Sequence, residues 1–417
     1  MHTTPLSTAR HLWTAIRDSY ELPPDDYQHH QPLRKLKITE GSAEAAVFEE
    51  EIENTFLRFS KGGRNQTDVE KLRHHWRVIL KNLSFCMYQR NWLLVSTNKN
   101  TYSHHLIPKS LGLSYNPTVH VLKSLEEQGF IVRLKGKRYE NNPVLTRIYP
   151  TVQLMERLWQ YFVAIEEEIK PPYLFIKEGQ HGWEDYRSFL PEDHYEVREM
   201  EQINEFLRGH YWACKGPVTL RYKHSAFQGG RLYNAFQALP DRRMRIRINT
   251  MIGGKPIGEV DFSANHLRMN LAYDKGVDAG TTPYEDIGEA AGGLTRVKVK
   301  EFITVAMGAD DAGKAASRCA LAGINGQDFQ RLTEAAHRVF PDLDLFTGWG
   351  IHGQNYEGQI LKQVMLEGIK KDIVCLPVHD AVAVQQEHLK WAEETMLECW
   401  DRQMETSGLA RVKVDLP

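Results

Sequence analysis

Two short strings, far apart in the chain, constrain it most: Val260-Asp261-Phe262-Ser263-Ala264-Asn265-His266-Leu267-Arg268 and Leu376-Pro377-Val378-His379-Asp380-Ala381-Val382. Each sets one aspartate at the edge of an apolar run. Carboxylates carried on distant strands can meet in a folded chain and hold a pair of divalent cations, the arrangement that in-line nucleotidyl transfer uses. Ile257 to Phe262 reads as a strand with Asp261 at its end, followed by a helix through Leu271. Ile373 to Val378 and Ala381 to Val384 read as arms of a β-hairpin with His379-Asp380 at its tip. Taken singly, an aspartate before a helix is more often an N-cap, and a His-Asp pair between apolar arms more often a turn. A metal phosphodiesterase of the His-Asp type would need further histidines at helical spacing, which the isolated His352 and His388 do not supply.

Length and composition bound the rest. At 417 residues the chain can bury a large core in two or three domains, and 41% apolar with 25% charged residues is an ordinary globular balance. No apolar run reaches the length of a membrane span, and the start lacks a basic segment followed by an apolar one, so a cytoplasmic protein is expected. The five cysteines are widely spaced and outside any zinc-site spacing. Basic residues (52) and acidic residues (54) nearly cancel, so any nucleic-acid contact must come from local clusters. One such cluster is Arg242 to Arg247, where Arg243, Arg245 and Arg247 would share one face of a strand leading toward Asp261; the face is either a phosphate track or a solvated edge.

Upstream, Val69 to Arg90 has helical periodicity through Leu72, Trp76, Ile79, Leu80 and Leu83. A short helix is expected over His104 to Leu111, a turn over Gly112 to Asn116, and a second helix from Pro117 to Gln128 ended by Gly129. Strands at Phe130 to Leu134 and Leu145 to Tyr149 flank a polar wing. The order resembles a winged-helix domain, with Thr118 to Lys123 opening the recognition helix and Lys123, Arg133, Lys135, Lys137 and Arg138 available to DNA phosphates. The other reading is a protein-docking module. Trp159 to Pro171 reads as a bridging helix and Glu196 to Trp212 as another. Beyond them, strands and helices lack a doubly wound rhythm, so the C-terminal half is expected to be α+β.

From about residue 228 onward the chain resembles, in order and spacing, the polymerase core of A-family DNA polymerases. Gly230-Arg231-Leu232 and Gln237-Ala238-Leu239-Pro240 are similar to the family's glycine-arginine and glutamine-x-leucine-proline segments, and Arg243-Met244-Arg245-Ile246-Arg247 to its basic strand. Asp261-Phe262-Ser263 through Leu267-Arg268 resembles motif A, Arg296-Val297-Lys298-Val299-Lys300 the start of motif B, and Val378-His379-Asp380 motif C. Tyr356 to Met365 is similar to the helix before motif C, and Ala410 to Val414 to the closing strand. The resemblance implies an α+β right-hand polymerase, an antiparallel palm sheet with helical fingers and thumb, preceded by a helical, winged-helix N-terminal domain. The expected division is 1–68 helical, 69–152 winged helix, 153–225 linker and thumb-like, and 226–417 palm and fingers.

It also implies roles. Asp261, Asp380 and the Phe262 carbonyl would hold two Mg2+ ions, with Mn2+ as the substitute. Lys300, Lys298 and Arg296 would neutralise the departing pyrophosphate; the other reading of the three is a solvated basic helix face. Arg231 and Gln237 would contact the primer-template minor groove or the incoming nucleotide, and His379 would orient the primer terminus. The partners are DNA primer-template, nucleoside triphosphates and a small accessory or initiator protein.

The departures are specific. His266 stands five residues after Asp261, where the family carries the glutamate that excludes ribose. Thr304 and Gly308 replace the aromatic positions of the fingers helix, and Ala381 follows the His-Asp pair where glutamate is frequent. No exonuclease domain is visible, so no proofreading is expected. The upstream arrangement resembles small stand-alone polymerases of phages and mobile elements, with priming or RNA synthesis as a variant activity. A rival from another class is a winged-helix initiator or regulator with an inactive polymerase-like domain, which magnesium-dependent primer extension separates.

Overall fold

The structure, a computed structural model, describes residues 17–18, 20–26, 29–38, 43–60, 66–103, 110–136, 145–177, 184–185, 194–239 and 245–417. The chain is mixed α+β and forms two compact units. Unit 1 takes Met1–Ile169, His210–Pro217 and Ala235–Pro256; unit 2 takes Lys170–Gly209, Val218–Asn234 and Ile257–Pro417. The segment 153–225, expected as one linker-and-thumb region, is therefore divided between them.

Unit 1 is built around the Gln66–Gln89 helix. Leu72, Trp76, Ile79, Leu80 and Leu83 recur at three- and four-residue steps and are at most 4% exposed, so the stripe read from the sequence is the core face. The next described helix is Tyr115–Glu127, with Ser114 at the N-cap position and Pro117 in the first turn, where a missing N–H leaves no bond unmade. It stops in a Schellman closure: Gly129 takes φ +69°, its N–H donates to the Glu126 carbonyl at 3.0 Å, and Phe130 N–H donates to Leu125 at 2.9 Å.

A four-stranded sheet follows, in the order His30–Pro32, Trp92–Val95, Thr146–Pro150, Ile131–Leu134. Trp92–Val95 and Ile131–Leu134 each pair antiparallel with Thr146–Pro150, and His30–Pro32 joins Trp92–Val95 in parallel. Most of the expected helix at His104 to Leu111, and the wing beyond Gly136, lie outside the described residues.

Two expectations in unit 1 are corrected. Trp159 to Pro171 is not one helix: Trp159–Ala164 forms a 3-10 helix, and Ile165–Glu167 is a strand antiparallel to Leu36–Ile38. The acidic run is drawn into the strand by facing cations, Arg34 on Glu167 at 2.8 Å, Lys35 on Glu168 at 3.1 Å and Lys37 on Glu166 at 3.7 Å. The basic strand at Arg243 to Arg247 is also absent among the described residues. Arg245 has φ +51°, and Arg247–Asn249 is a 3-10 turn. Short side chains close that turn: Thr250 Oγ1 donates to the Arg247 carbonyl at 2.7 Å and Asn249 Nδ2 to Arg245 at 2.5 Å.

Unit 2 contains an antiparallel sheet centred on Lys255–Phe262, a strand that enters unit 2 at Ile257. Ala381–Gln385 pairs along one edge with Asp261 opposite Ala381, and Val412–Asp415 along the other with Asp261 opposite Lys413. Leu376–Val378 completes the hairpin. A second sheet runs Ser225–Tyr233, Thr219–Lys223, Leu174–Lys177, Glu184–Asp185. Helices Asn265–Ala272, Pro283–Ala290, Arg296–Gly308, Ala312–Leu321 and Gly326–Val339 follow the central strand, then the long Gly350–Lys370 helix and the Leu389–Met404 helix. The glycines of Gly230 and Gly358 let strand and helix backbones touch, because a Cβ at Gly358 would overlap the Gly230 carbonyl oxygen. That contact sets Arg231 beside Glu357.

Candidate active site

The register of the central sheet brings the two aspartates together. Asp261 ends the Lys255–Phe262 strand, and Asp380 follows His379 in the two-residue turn between Val378 and Ala381. The Phe262 N–H donates to the Asp380 carbonyl at 3.3 Å, fixing one segment against the other. His379 takes φ +55° in that turn, a position that suits glycine, so the histidine is held against a local conformational cost. Asn234 Nδ2 steadies the hairpin by donating to the Pro377 carbonyl at 2.8 Å.

The two aspartates differ in their surroundings. Burial pushes the Asp380 carboxyl up to about 7, and the charges of Glu357 and Asp261 push the same way. Asp261 is partly exposed, and the Lys413 ammonium lies 2.9 Å from its Oδ2. Glu357, on the Gly350–Lys370 helix, is 1% exposed and was not singled out from the sequence. Its Oε2 lies 3.0 Å from His266 Nε2 and accepts from Arg231 Nη2 at 3.3 Å, while Arg231 Nε stands 2.8 Å from Oε1 at ion-pair distance without hydrogen-bond alignment. Burial raises the Glu357 carboxyl, but His266 and then Arg231 more than offset it and leave it below the ordinary glutamate value.

The basic helix start is less uniform than its spacing suggests. Thr295 caps Arg296–Gly308, accepting from the Lys298 N–H at 3.5 Å. Arg296 is bound to Glu285 at 3.0 Å and lies over the Tyr284 ring, and Lys298 is bound to Asp328 at 2.9 Å. Lys300 is exposed and, among the described residues, forms no ion pair. Tyr284 was also missed: its hydroxyl is pushed up to about 12, chiefly by burial, and lies within the influence of Arg296 and Asp380. Arg268 is a structural pin, 2% exposed, donating to the carbonyls of Ser263 at 2.9 Å and Gly280 at 2.7 Å.

The remaining candidates are dispersed. Gln237 belongs to unit 1, where its carbonyl accepts from Arg247 Nη1 at 3.4 Å; Arg247 also donates to Leu239 at 3.2 Å. Arg243 and Lys137 lie outside the described residues. Thr118 is buried and its hydroxyl donates to the Ser114 carbonyl at 2.8 Å, which leaves it nothing to offer a phosphate. Arg133 is paired with Glu126 at 2.7 Å, whereas Lys123 and Lys135 are exposed.

Among the described residues, no group of three or more His, Cys, Asp or Glu side chains forms a metal cluster by itself. The donor chemistry nevertheless suits a hard divalent cation: two carboxylates and a nearby main-chain carbonyl are oxygen ligands, and an ammonium already balances one of them. No helix among the described residues is long and apolar enough to cross a membrane.

No family model matches the chain, and no curated protein matches its sequence. Among solved structures it is similar to the POL domain of Pol1 from M. smegmatis in complex with DNA primer-template and dNTP, at 13% identity and a TM-score of 0.34, over 89% of this chain and 72% of that one.

Proposed function

We propose that the chain is a template-directed nucleotidyltransferase that extends a DNA primer from nucleoside triphosphates, without proofreading, through divalent cations held at Asp261 and Asp380. The observation that carries this reading is the convergence of the two carboxylates across one strand pair, with Asp380 pushed up to about 7 by burial and by its carboxylate neighbours. Such a pair is destabilised when empty and relieved by a cation. Bound Mg2+ would supply the Lewis acidity that activates a primer 3′-hydroxyl and balances the triphosphate. Asp261, Asp380 and the Phe262 carbonyl would hold it. Lys300 would face the departing pyrophosphate as a fixed charge, and His379, exposed at the hairpin tip, would orient the primer end.

For unit 1, the same reading makes the Trp92–Val95, Tyr115–Glu127, Ile131–Leu134 and Thr146–Pro150 elements a winged helix that grips duplex DNA through Lys123 and Lys135. The order and antiparallel pairing of those strands support it.

The test is primer extension on a primed single strand with Mg2+. Asp261→Asn and Asp380→Asn should each lower incorporation by at least about 100-fold, since an electrostatic contribution made at the reacting centre is lost, while the melting transition stays cooperative. Extension at the parent rate by either variant overturns the assignment.

A further inference from the structure

Glu357 is the feature that the two-aspartate reading leaves unused. A carboxylate buried this completely is costly unless it is paired, and this one is paired twice, by Arg231 and by His266, from two other elements. The partners are 30% and 26% exposed, so each keeps a face toward solvent. Among the described residues, Arg231 Nη1 and His266 Nδ1 have no protein partner. Arg231, His266 and Glu357 all lie within electrostatic reach of Asp380.

We infer that Glu357 is a specificity-determining positioning residue: it clamps His266 and Arg231 into one ion-bridged unit that receives the sugar of the nucleotide beside Asp261 and Asp380. The inference rests on the nucleotidyl-transfer reading above. A nucleotide whose phosphate lies at the aspartate pair carries its sugar one ester oxygen and one methylene away. His266 Nδ1 and Arg231 Nη1 would be the hydrogen-bonding groups offered to that sugar, and the contacts to Glu357 would fix their direction. Close backbone contact at Gly230 and Gly358, the residues adjoining Arg231 and Glu357, makes the clamp rigid. A glutamate at 266 would face Glu357 carboxylate to carboxylate, so His266→Glu should disrupt the bridge.

The experiment compares deoxy- and ribonucleotide incorporation by the full-length parent, Glu357→Gln, His266→Gln and the double variant. Glu357→Gln keeps the side-chain shape and removes the charge, so the ratio of deoxy to ribo kcat/KM should change by about tenfold, the worth of a charge-assisted hydrogen bond. The nucleotide KM should rise more than kcat falls. His266→Gln should move the ratio the same way, and the double variant should go little further, because one unit is broken in each case. A ratio unchanged in Glu357→Gln, or fully additive effects, overturns the clamp while leaving the polymerase reading intact. A parent that incorporates neither nucleotide overturns the polymerase reading, and the clamp with it.

Discussion

Lys413 places its ammonium 2.9 Å from the Asp261 carboxylate, directly across the strand pairing that sets the two residues opposite each other. Its side chain is 65% exposed, so the pair is weak, worth at most about 1 kcal/mol. On the proposed reading, a divalent cation at Asp261 would compete with it. Lys413→Met should therefore lower the Mg2+ concentration that gives the half-maximal thermal shift by about three- to fivefold, the equivalent of that pair. An unchanged or weakened Mg2+ response would show that Lys413 does not compete for the carboxylate.

Asp380 carries a pH signature. Its folded-state value, about 7, lies above that of an unfolded aspartate. From roughly pH 4 to 7 the folded protein keeps a proton that the unfolded chain has released, so stability is fully present below the lower value and declines as pH rises through the window. The metal-free melting temperature should fall between pH 5 and pH 8, and Asp380→Asn should flatten that fall and be the more stable form at pH 8. The gain should be on the order of a few kcal/mol at most. Parallel pH profiles for the two proteins would refute the buried-carboxylate account.

What the sequence disclosed and what it withheld follow from the range of the interactions. Periodicity located the Gln66–Gln89 stripe, and apolar arms located the Leu376–Val378 and Ala381–Gln385 hairpin, because both patterns are written in consecutive residues. Asp261 and Asp380 were visible because each stands at the edge of such a run. Glu357 was not, because its meaning lies in Arg231 and His266, which are remote in sequence and meet it only in the folded unit, Arg231 through the close approach of Gly230 and Gly358. Trp159 to Pro171 misled for the same reason: three consecutive glutamates carry no period of their own, and the residues that face them are Lys37 on the Leu36–Ile38 strand and Arg34 and Lys35 just before it.

The three cations at the start of the Arg296–Gly308 helix should separate kinetically. Lys300 has no ion-pair partner among the described residues, whereas Arg296 and Lys298 are engaged by Glu285 and Asp328. Lys300→Ala should lower kcat/KM for nucleotide by about 100-fold, the scale of one fixed charge lost at developing phosphate charge. Lys298→Ala should act mainly on the melting temperature, because it frees Asp328. Equal kinetic losses would mean that Lys298 leaves Asp328 when substrate binds.

On the winged-helix reading, exposed lysines of unit 1 contact duplex phosphates. Removing residues up to 150 is a poor test, since unit 1 extends to Pro256 and that cut would empty its core. Point changes preserve it. Lys123 and Lys135 are exposed, and Lys123 is held only by a 3.6 Å surface contact with Glu127. If both contact phosphates, Lys123→Ala with Lys135→Ala should weaken binding to unrelated duplexes to a similar degree and reduce the slope of log affinity against log salt by about 2, one released counterion for each cation. Thr118→Ala should leave that slope unchanged, because its hydroxyl is spent on the Ser114 carbonyl inside the unit. An unaltered slope in the double lysine variant would make these elements a protein-docking module.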